Sequence, residues 1–329
     1  MRRCIALFLV IAAGCAPKET VLVYSPHGRD MLRDYEKLFE AAYPEIDMQF
    51  LDMGSQDVYS RVAAERNRPA CDVWWGAPTS MFMQAADEGL LAEYEPSWSG
   101  SVDSANRDSQ HRWYGTHLTP LAIMFNNRRY TRADVPQSWD DLLDPEWHHK
   151  ITIRKPLPSG TMRTFIGAMI ERAESEEAGF KYLLGLHKAT EDYVDNPQLL
   201  FDHIKRNQEL VTVWIMPDAV LQRERNGYPF DFYLPQNTPV LTEGIAIVEG
   251  APHRDNAEKF YEFVTTVESL SQQAHEYAKI PARTDVDSGL LPEWMVEQKI
   301  DPMNLDWERF AENEKAWMER WEREVYNVK

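Results

Sequence analysis

The sequence predicts an α/β protein with a parallel sheet, and three observations carry the prediction. Between residues 21 and 87 the order strand, loop, helix occurs three times, and each loop holds glycine or small polar residues. The chain has 329 residues, enough for one large or two medium domains with real cores. Consecutive strands joined through helices are what parallel pairing requires, because a tight hairpin cannot connect parallel neighbours.

The first strand covers 21–25 and breaks at Pro26-His27-Gly28. A helix follows, with Met31, Leu32, Tyr35, Leu38, Phe39 and Ala42 at three- and four-residue spacing. A second strand over 46–51 ends in Gly54-Ser55-Gln56-Asp57, which opens a helix through Val58 and Val62. The third unit is a strand over 72–75, the turn Gly76-Ala77-Pro78 and a helix over 79–87. After an irregular aromatic stretch come two paired strands, 113–116 and 121–126. A second α/β region follows, in which Ser138 caps a helix over 139–143 and a strand covers 150–154. Helices over 161–172, 175–187 and 198–208, a strand over 210–215 and a helix over 218–226 complete it. Breakers around Pro229, Pro235 and Pro239 lead to a strand over 243–248 and a helix over 253–267. In the acidic tail, Trp307, Phe310, Trp317 and Trp321 form one stripe, predicting a helix that docks on the body.

Charge narrows the function. With 35 Lys and Arg against 53 Asp and Glu, the chain carries −18 and is unsuited to gripping a polyanion, so no nucleic-acid partner is expected. The N-terminus joins Arg2 and Arg3 to an apolar run over 5–13, a secretory signal too short to span a membrane. Ala12-Ala13-Gly14-Cys15 resembles a bacterial lipobox, although Ala12 stands where Leu is commoner. Residues 1–14 are then removed, Cys15 is acylated, and 15–20 link the anchor to the body. Loss of Arg2 and Arg3 takes the mature net charge to −20. Cys4 leaves with the signal and Cys71 reads as a core thiol, so no disulfide is expected. The location implied is periplasmic or extracytoplasmic, at a membrane.

Several phrases in order resemble one family. They are Val21-Leu22-Val23-Tyr24-Ser25-Pro26-His27-Gly28, Ala70-Cys71-Asp72-Val73-Trp74-Trp75-Gly76-Ala77-Pro78, Thr119-Pro120-Leu121-Ala122-Ile123-Met124-Phe125-Asn126 and Ser138-Trp139-Asp140-Asp141-Leu142-Leu143-Asp144-Pro145. Pro158-Ser159-Gly160-Thr161, Thr242-Glu243-Gly244-Ile245-Ala246-Ile247-Val248 and Ile280-Pro281-Ala282-Arg283 follow. Nearly all of the mature chain is similar to bacterial extracellular solute-binding proteins of ABC importers, of the ferric-iron and small-anion type. The resemblance implies a two-lobed type II periplasmic-binding-protein fold, each lobe a mixed, mostly parallel sheet flanked by helices, joined by two crossover strands. It implies that lobe 1 holds 21–117 and 236–329, with the C-terminal helices docked on it, and that lobe 2 is the insertion 118–235. It further implies a monomer that closes a hinge over a small molecule or ion and presents it to an inner-membrane permease, with no catalytic group, cofactor or resident metal.

Ligands of open α/β sheets bind outside the carboxyl ends of the strands, which directs attention to the loops. Tyr24, Ser25 and His27 offer hydroxyls and an imidazole, while Gly54, Ser55 and Gln56 form a helix start that a ligand can approach closely. Trp74 and Trp75 point to opposite faces of a strand; one is core, and Trp75, beside Gly76, is the candidate for the cleft. Thr116 and His117 fall at the first crossover. Ser159, Gly160 and Thr161 at a helix N-terminus carry the strongest anion signal, with Arg163 one turn on as a fixed charge. Trp214, Met216 and Asp218 follow the last lobe 2 strand, and Glu243 opens the return strand; the two carboxylates suit an ammonium group or a cation.

Iron-binding members usually carry adjacent tyrosines where this chain has Trp214-Ile215-Met216-Pro217-Asp218. A phosphonate, sulfonate or carboxylate, anionic or zwitterionic, is therefore the favoured solute. Ferric iron held by another set, drawn from His27, Tyr24, Asp57 and Glu243, is the alternative. A lipid-anchored hydrolase is the alternative of another class, although no GxSxG, HExxH or CxxC motif is present. A lipid-anchored interaction protein using its tryptophans is a third.

Overall fold

The computed structural model describes residues 18–207 and 209–328. Residues 1–17, with the expected signal and Cys15, lie outside them. Among the described residues, no helix is long and apolar enough to cross a membrane.

Three βα units open the chain: β1 (Glu19–Ser25) and α1 (Arg29–Ala42), β2 (Ile46–Asp52) and α2 (Ser55–Ala64), β3 (Val73–Pro78) and α3 (Thr79–Asp87). A single 13-residue strand, β4 (Tyr114–Asn126), follows. Then come β5 (Ile151–Arg154), α4 (Gly160–Glu171), α5 (Glu176–Ala189), β6 (Thr190–Val194), α6 (Pro197–Arg206), β7 (Val211–Ile215), α7 (Met216–Asn226) and β8 (Phe230–Tyr233). The chain returns through β9 (Val240–Ile247), α8 (Arg254–Val264), α9 (Val267–Tyr277) and β10 (Ile280–Pro281). It ends in α10 (Glu293–Glu297), α11 (Trp307–Trp321) and a π-helical turn, Glu322–Tyr326.

Strand order is β2-β1-β3-β9-β4-β7-β5-β6, with β8 and β10 also on β4. β1 pairs parallel with β2 and β3, and β5 with β6 and β7, whereas β9 and β4 run antiparallel to their neighbours. The two strands expected at 113–116 and 121–126 are thus one strand. Its first half pairs with β9 and β10, its second half with β7 and β8, so it crosses from one half of the sheet to the other. Pro120 does not end it, because Thr119 and Leu121 on either side keep the ladder through Leu241 and Ile215.

Other differences are local. The expected helix over 139–143 is a short turn, Asp141–Leu143, in which Asp141 accepts from the backbone of Gln137 and Ser138 and from the Ser138 hydroxyl. The expected helix over 253–267 stops at Val264, and Thr266 caps a new helix by accepting from Ser269. β6 and β8 are short strands that periodicity did not reveal.

Apolar residues form three clusters. Two cover opposite faces of the β1–β2–β3 half, and the third fills the β5–β6–β7 half. The tail helix bridges both halves: it packs against α3 of the first, as expected, while Phe310, Trp317, Met318, Trp321 and Val325 join this third cluster. An ideal Cβ at Gly167 of α4 would lie 1.9 Å from Phe310 Cε2, so the phenyl ring sits directly on the glycine backbone. Glu314 of α11 also pairs with Arg163.

Candidate functional site

A cleft of about 600 Å³ lies where the two halves face each other. Its walls are the carboxyl ends of the strands and the helix starts that follow them: Pro26–Met31 after β1, Asp52–Ser55 after β2, and Ala77 and Pro78 at the end of β3. Across from them stand Arg154 at the end of β5, Gly160 and Thr161 at the start of α4, and Trp214, Ile215 and Asp218 where β7 runs into α7. Glu243, Tyr277 and Lys279 complete the floor. Unpaired amides at the starts of α1, α2 and α4 therefore converge on one space, the arrangement that favours negative charge.

The halves touch at its edge. An ideal Cβ at Gly160 would come within 2.7 Å of Pro78 Cδ and 3.1 Å of Ser55 Cβ, and one at Gly54 within 3.2 Å of the Pro158 carbonyl oxygen. Both glycines are needed for this close approach.

Of the residues singled out in the sequence, His27, Gly54, Ser55, Gly160, Thr161, Trp214, Asp218 and Glu243 line the cleft. The others do not, each for a physical reason. Tyr24 is buried in the core and its hydroxyl donates to Glu65. Ser25 is buried and accepts from the His27 backbone. Gln56 turns along its own helix to Ser60. Both tryptophans of the pair are core: Trp74 stacks on Phe82 on one face, and Trp75 packs against Tyr35 and Phe260 on the other. Burial on both faces is possible because this half of the sheet is covered by helices on each side. Thr116 donates to the Glu243 carbonyl, and His117 lies against Gln273; both are fully covered. Ser159 caps α4 by accepting from Met162, also out of the cleft.

Arg163 and Arg154 exchange the roles expected of them. Arg163 donates to the Leu157 carbonyl at 2.7 Å and pairs with Glu314 at 3.3 Å, so its charge is already used. Arg154, which the sequence did not mark, reaches the cleft with no acceptor within hydrogen-bond distance among the described residues, and its Nε is buried without a partner. The guanidinium stands 5.4 Å from the centre of the Trp214 ring, a cation–π contact. Burial lowers its proton affinity, and Asp218 and Asp57 oppose that. The signal for Arg154 was its place at the end of a short parallel strand, where side chains leave the sheet toward the ligand edge.

Trp214 Nε1 donates to Asp218 Oδ2 at 2.6 Å, while burial raises the Asp218 carboxyl above its ordinary range. Glu243 is fully engaged: Oε1 accepts from Thr119 at 3.2 Å and Oε2 from the Lys279 ammonium at 2.7 Å. Burial raises its pKa, but Lys279 and the two histidines outweigh this and hold it at about 2. Lys279 too was missed; it lies in the helix-to-strand turn directly before the phrase Ile280-Pro281-Ala282-Arg283.

Residues 77–313 match the family described as bacterial extracellular solute-binding protein. A probable ABC transporter periplasmic-binding protein of Sinorhizobium fredii is 22% identical over 334 residues, covering 97% of this chain and 90% of the relative. A putative 2-aminoethylphosphonate-binding periplasmic protein of Salmonella typhimurium is 24% identical over 332 residues, 96% of each chain. Among solved structures, the periplasmic binding protein AfuA of Actinobacillus pleuropneumoniae, with fructose-6-phosphate bound, superposes with a TM-score of 0.83 at 23% identity, covering 94% of this chain and all of that one. Iron-bound HitA of Pseudomonas aeruginosa gives 0.79 at 21% identity, covering 93% and 99%. A cleft between two halves of a crossed-over sheet and a family match over most of the length agree: this chain belongs to the bacterial extracellular solute-binding proteins and has their two-lobed type II fold.

Proposed function

We propose that this protein is the receptor of an ABC importer, tethered outside the cytoplasmic membrane through Cys15, and that it captures a small anionic or zwitterionic solute without transforming it. One observation carries the ligand class: the Arg154 guanidinium faces the cleft with no hydrogen bond to a carboxylate among the described residues. Its planar fork suits two oxygens of a phosphonate, sulfonate or carboxylate, and a charge-assisted bidentate pair is among the stronger polar contacts. Amides at the start of α4, around Gly160 and Thr161, add donors from the same lobe, and those at Gly28 and Ser55 add donors from the opposite lobe once the cleft shuts. An amine on the solute would meet Asp218, whose one oxygen is bonded to Trp214 while the other has no hydrogen-bond partner among the described residues. The names of two relatives, one putatively binding 2-aminoethylphosphonate and one with fructose-6-phosphate bound, support an acidic phosphorus group.

The ferric reading has less support. No tyrosine pair follows β7, and the carboxylate of Glu243 already holds an ammonium. Native mass spectrometry of freshly purified protein tests the proposal: one noncovalently bound small anion or zwitterion per chain is expected. Catalytic turnover of the bound compound, or a ferric ion as the bound species, would exclude it.

A further inference from the structure

Four chain segments meet on the cleft floor, all on the lobe built from β1, β4, β9 and β10. His27 follows β1, His117 lies on β4, Glu243 on β9, and Lys279 directly precedes β10. One ligand-type atom from each of His27, His117 and Glu243 lies within 4.8 Å of the other two. Glu243 Oε2 is 3.6 Å from His27 Nδ1 and 3.7 Å from His117 Nδ1. The ligand–ligand edge of a tetrahedral zinc site is about 3.3 Å at ordinary bond lengths, so small adjustments would bring the three atoms onto one ion.

The His117 ring is fixed from behind. Gln273 Nε2 donates to the Val264 carbonyl at 2.8 Å, so its Oε1 accepts, at 2.5 Å, from His117 Nε2. Nδ1 then carries the lone pair, the tautomer a metal ligand needs, and the Gln273 bond is the kind of outer contact that orients such a ligand. The Thr116 hydroxyl, with a single proton, lies 3.1 Å from both this Nδ1 and the Glu243 carbonyl oxygen. His27 Nε2 is buried with no partner.

The carboxylate oxygen that both imidazoles face already holds a cation. Lys279 Nζ sits 2.7 Å from Glu243 Oε2, and the two side chains are only 10% and 11% exposed. We propose that Lys279 is a tethered substitute for a metal ion, and that His27, His117 and Glu243 form a site for a borderline divalent cation such as Zn²⁺ or Co²⁺ that opens when the ammonium is removed. In the native chain the ammonium repels a second cation and itself supplies the positive charge of the floor. This inference is independent of the anion reading, which rests on Arg154.

The test uses the whole chain and Co²⁺. Lys279→Met is expected to bind one Co²⁺ at least about 100-fold more tightly than the native chain, by calorimetry and by the visible absorption of low-coordinate cobalt. His117→Ala in that background should abolish the gain. Both Lys279→Met and Lys279→Gln, which keeps a neutral donor toward Glu243, should melt higher with Co²⁺, and a variant poorly folded alone should be rescued by it. Equal affinity in native and variant chains, binding that survives His117→Ala, or no stabilisation of either variant by Co²⁺ would overturn the proposal.

Discussion

Arg154 lies with its guanidinium carbon 5.4 Å from the centre of the Trp214 ring, and neither residue belongs to a helix. The stacking holds a long, flexible cation at the end of one strand against an aromatic at the end of another, and no carboxylate among the described residues is hydrogen-bonded to it. A cation held in this way retains little rotamer freedom to lose when an anion arrives. Conversion of Trp214 to Leu should therefore weaken anion binding by about tenfold while leaving Arg154 in place. Titration calorimetry with the co-purifying solute checks this, and unchanged affinity would separate the ring from the site.

Gly160 sets how closely the lobes can shut. A methyl group there meets Pro78 of the opposite lobe at 2.7 Å, and Pro78 is a rigid ring on a buried strand. Gly160→Ala is expected to cost the closed form about 1–3 kcal/mol, roughly a 5- to 150-fold loss of affinity. Small-angle scattering should find the variant larger than the native protein in the presence of solute. A fully compact variant with native affinity would place the closing contact elsewhere.

Acid should loosen the floor in two stages. Burial, then Lys279, lowers the His117 imidazole from the ordinary 6.5 to about 4, so the unfolded chain takes up its proton first. The stability this contributes is complete above pH 6.5 and is lost as the pH falls toward 4. Glu243, held at about 2 against an ordinary 4.5, adds a second loss between those values. The melting temperature should fall by about 5 °C or more from pH 6.5 to 4. His117→Asn should shrink this upper stage and leave the share due to His27, which burial and Lys279 also lower.

The tail helix is fastened to α4 through a ring on a glycine. Gly167→Ala should destabilise the protein by about 1–3 kcal/mol through overpacking, and Phe310→Ala by about 3–5 kcal/mol through a cavity. Urea unfolding would measure both, and the two changes together should cost less than their sum because they share one contact.

Periodicity and loop chemistry were enough to reveal the three opening βα units and the helix starts at Gly54 and Gly160, whereas the crossover near residue 120 came only with the family resemblance and periodicity split it into two strands. They could not tell Arg154 from Arg163, because the difference lies in partners distant in sequence: Glu314, about 150 positions away, takes up Arg163 and leaves Arg154 free. Trp75 was misplaced for a related reason. Alternation along a strand shows that two residues face opposite ways, but not whether both faces are covered. The tail was read correctly as an amphipathic helix that docks on the body, whereas the share of its apolar stripe that α4 takes depends on where α4 lies in space.

The central claim is that Arg154, and not Arg163, anchors an anionic solute. Titration calorimetry of the co-purifying solute against native protein, Arg154→Ala and Arg163→Ala measures it directly. Loss of a charged bidentate contact costs about 2–4 kcal/mol, so Arg154→Ala should bind about 30- to 1,000-fold more weakly, with a binding isotherm for Arg163→Ala close to native. Native affinity in Arg154→Ala, or a larger loss in Arg163→Ala, would contradict the account.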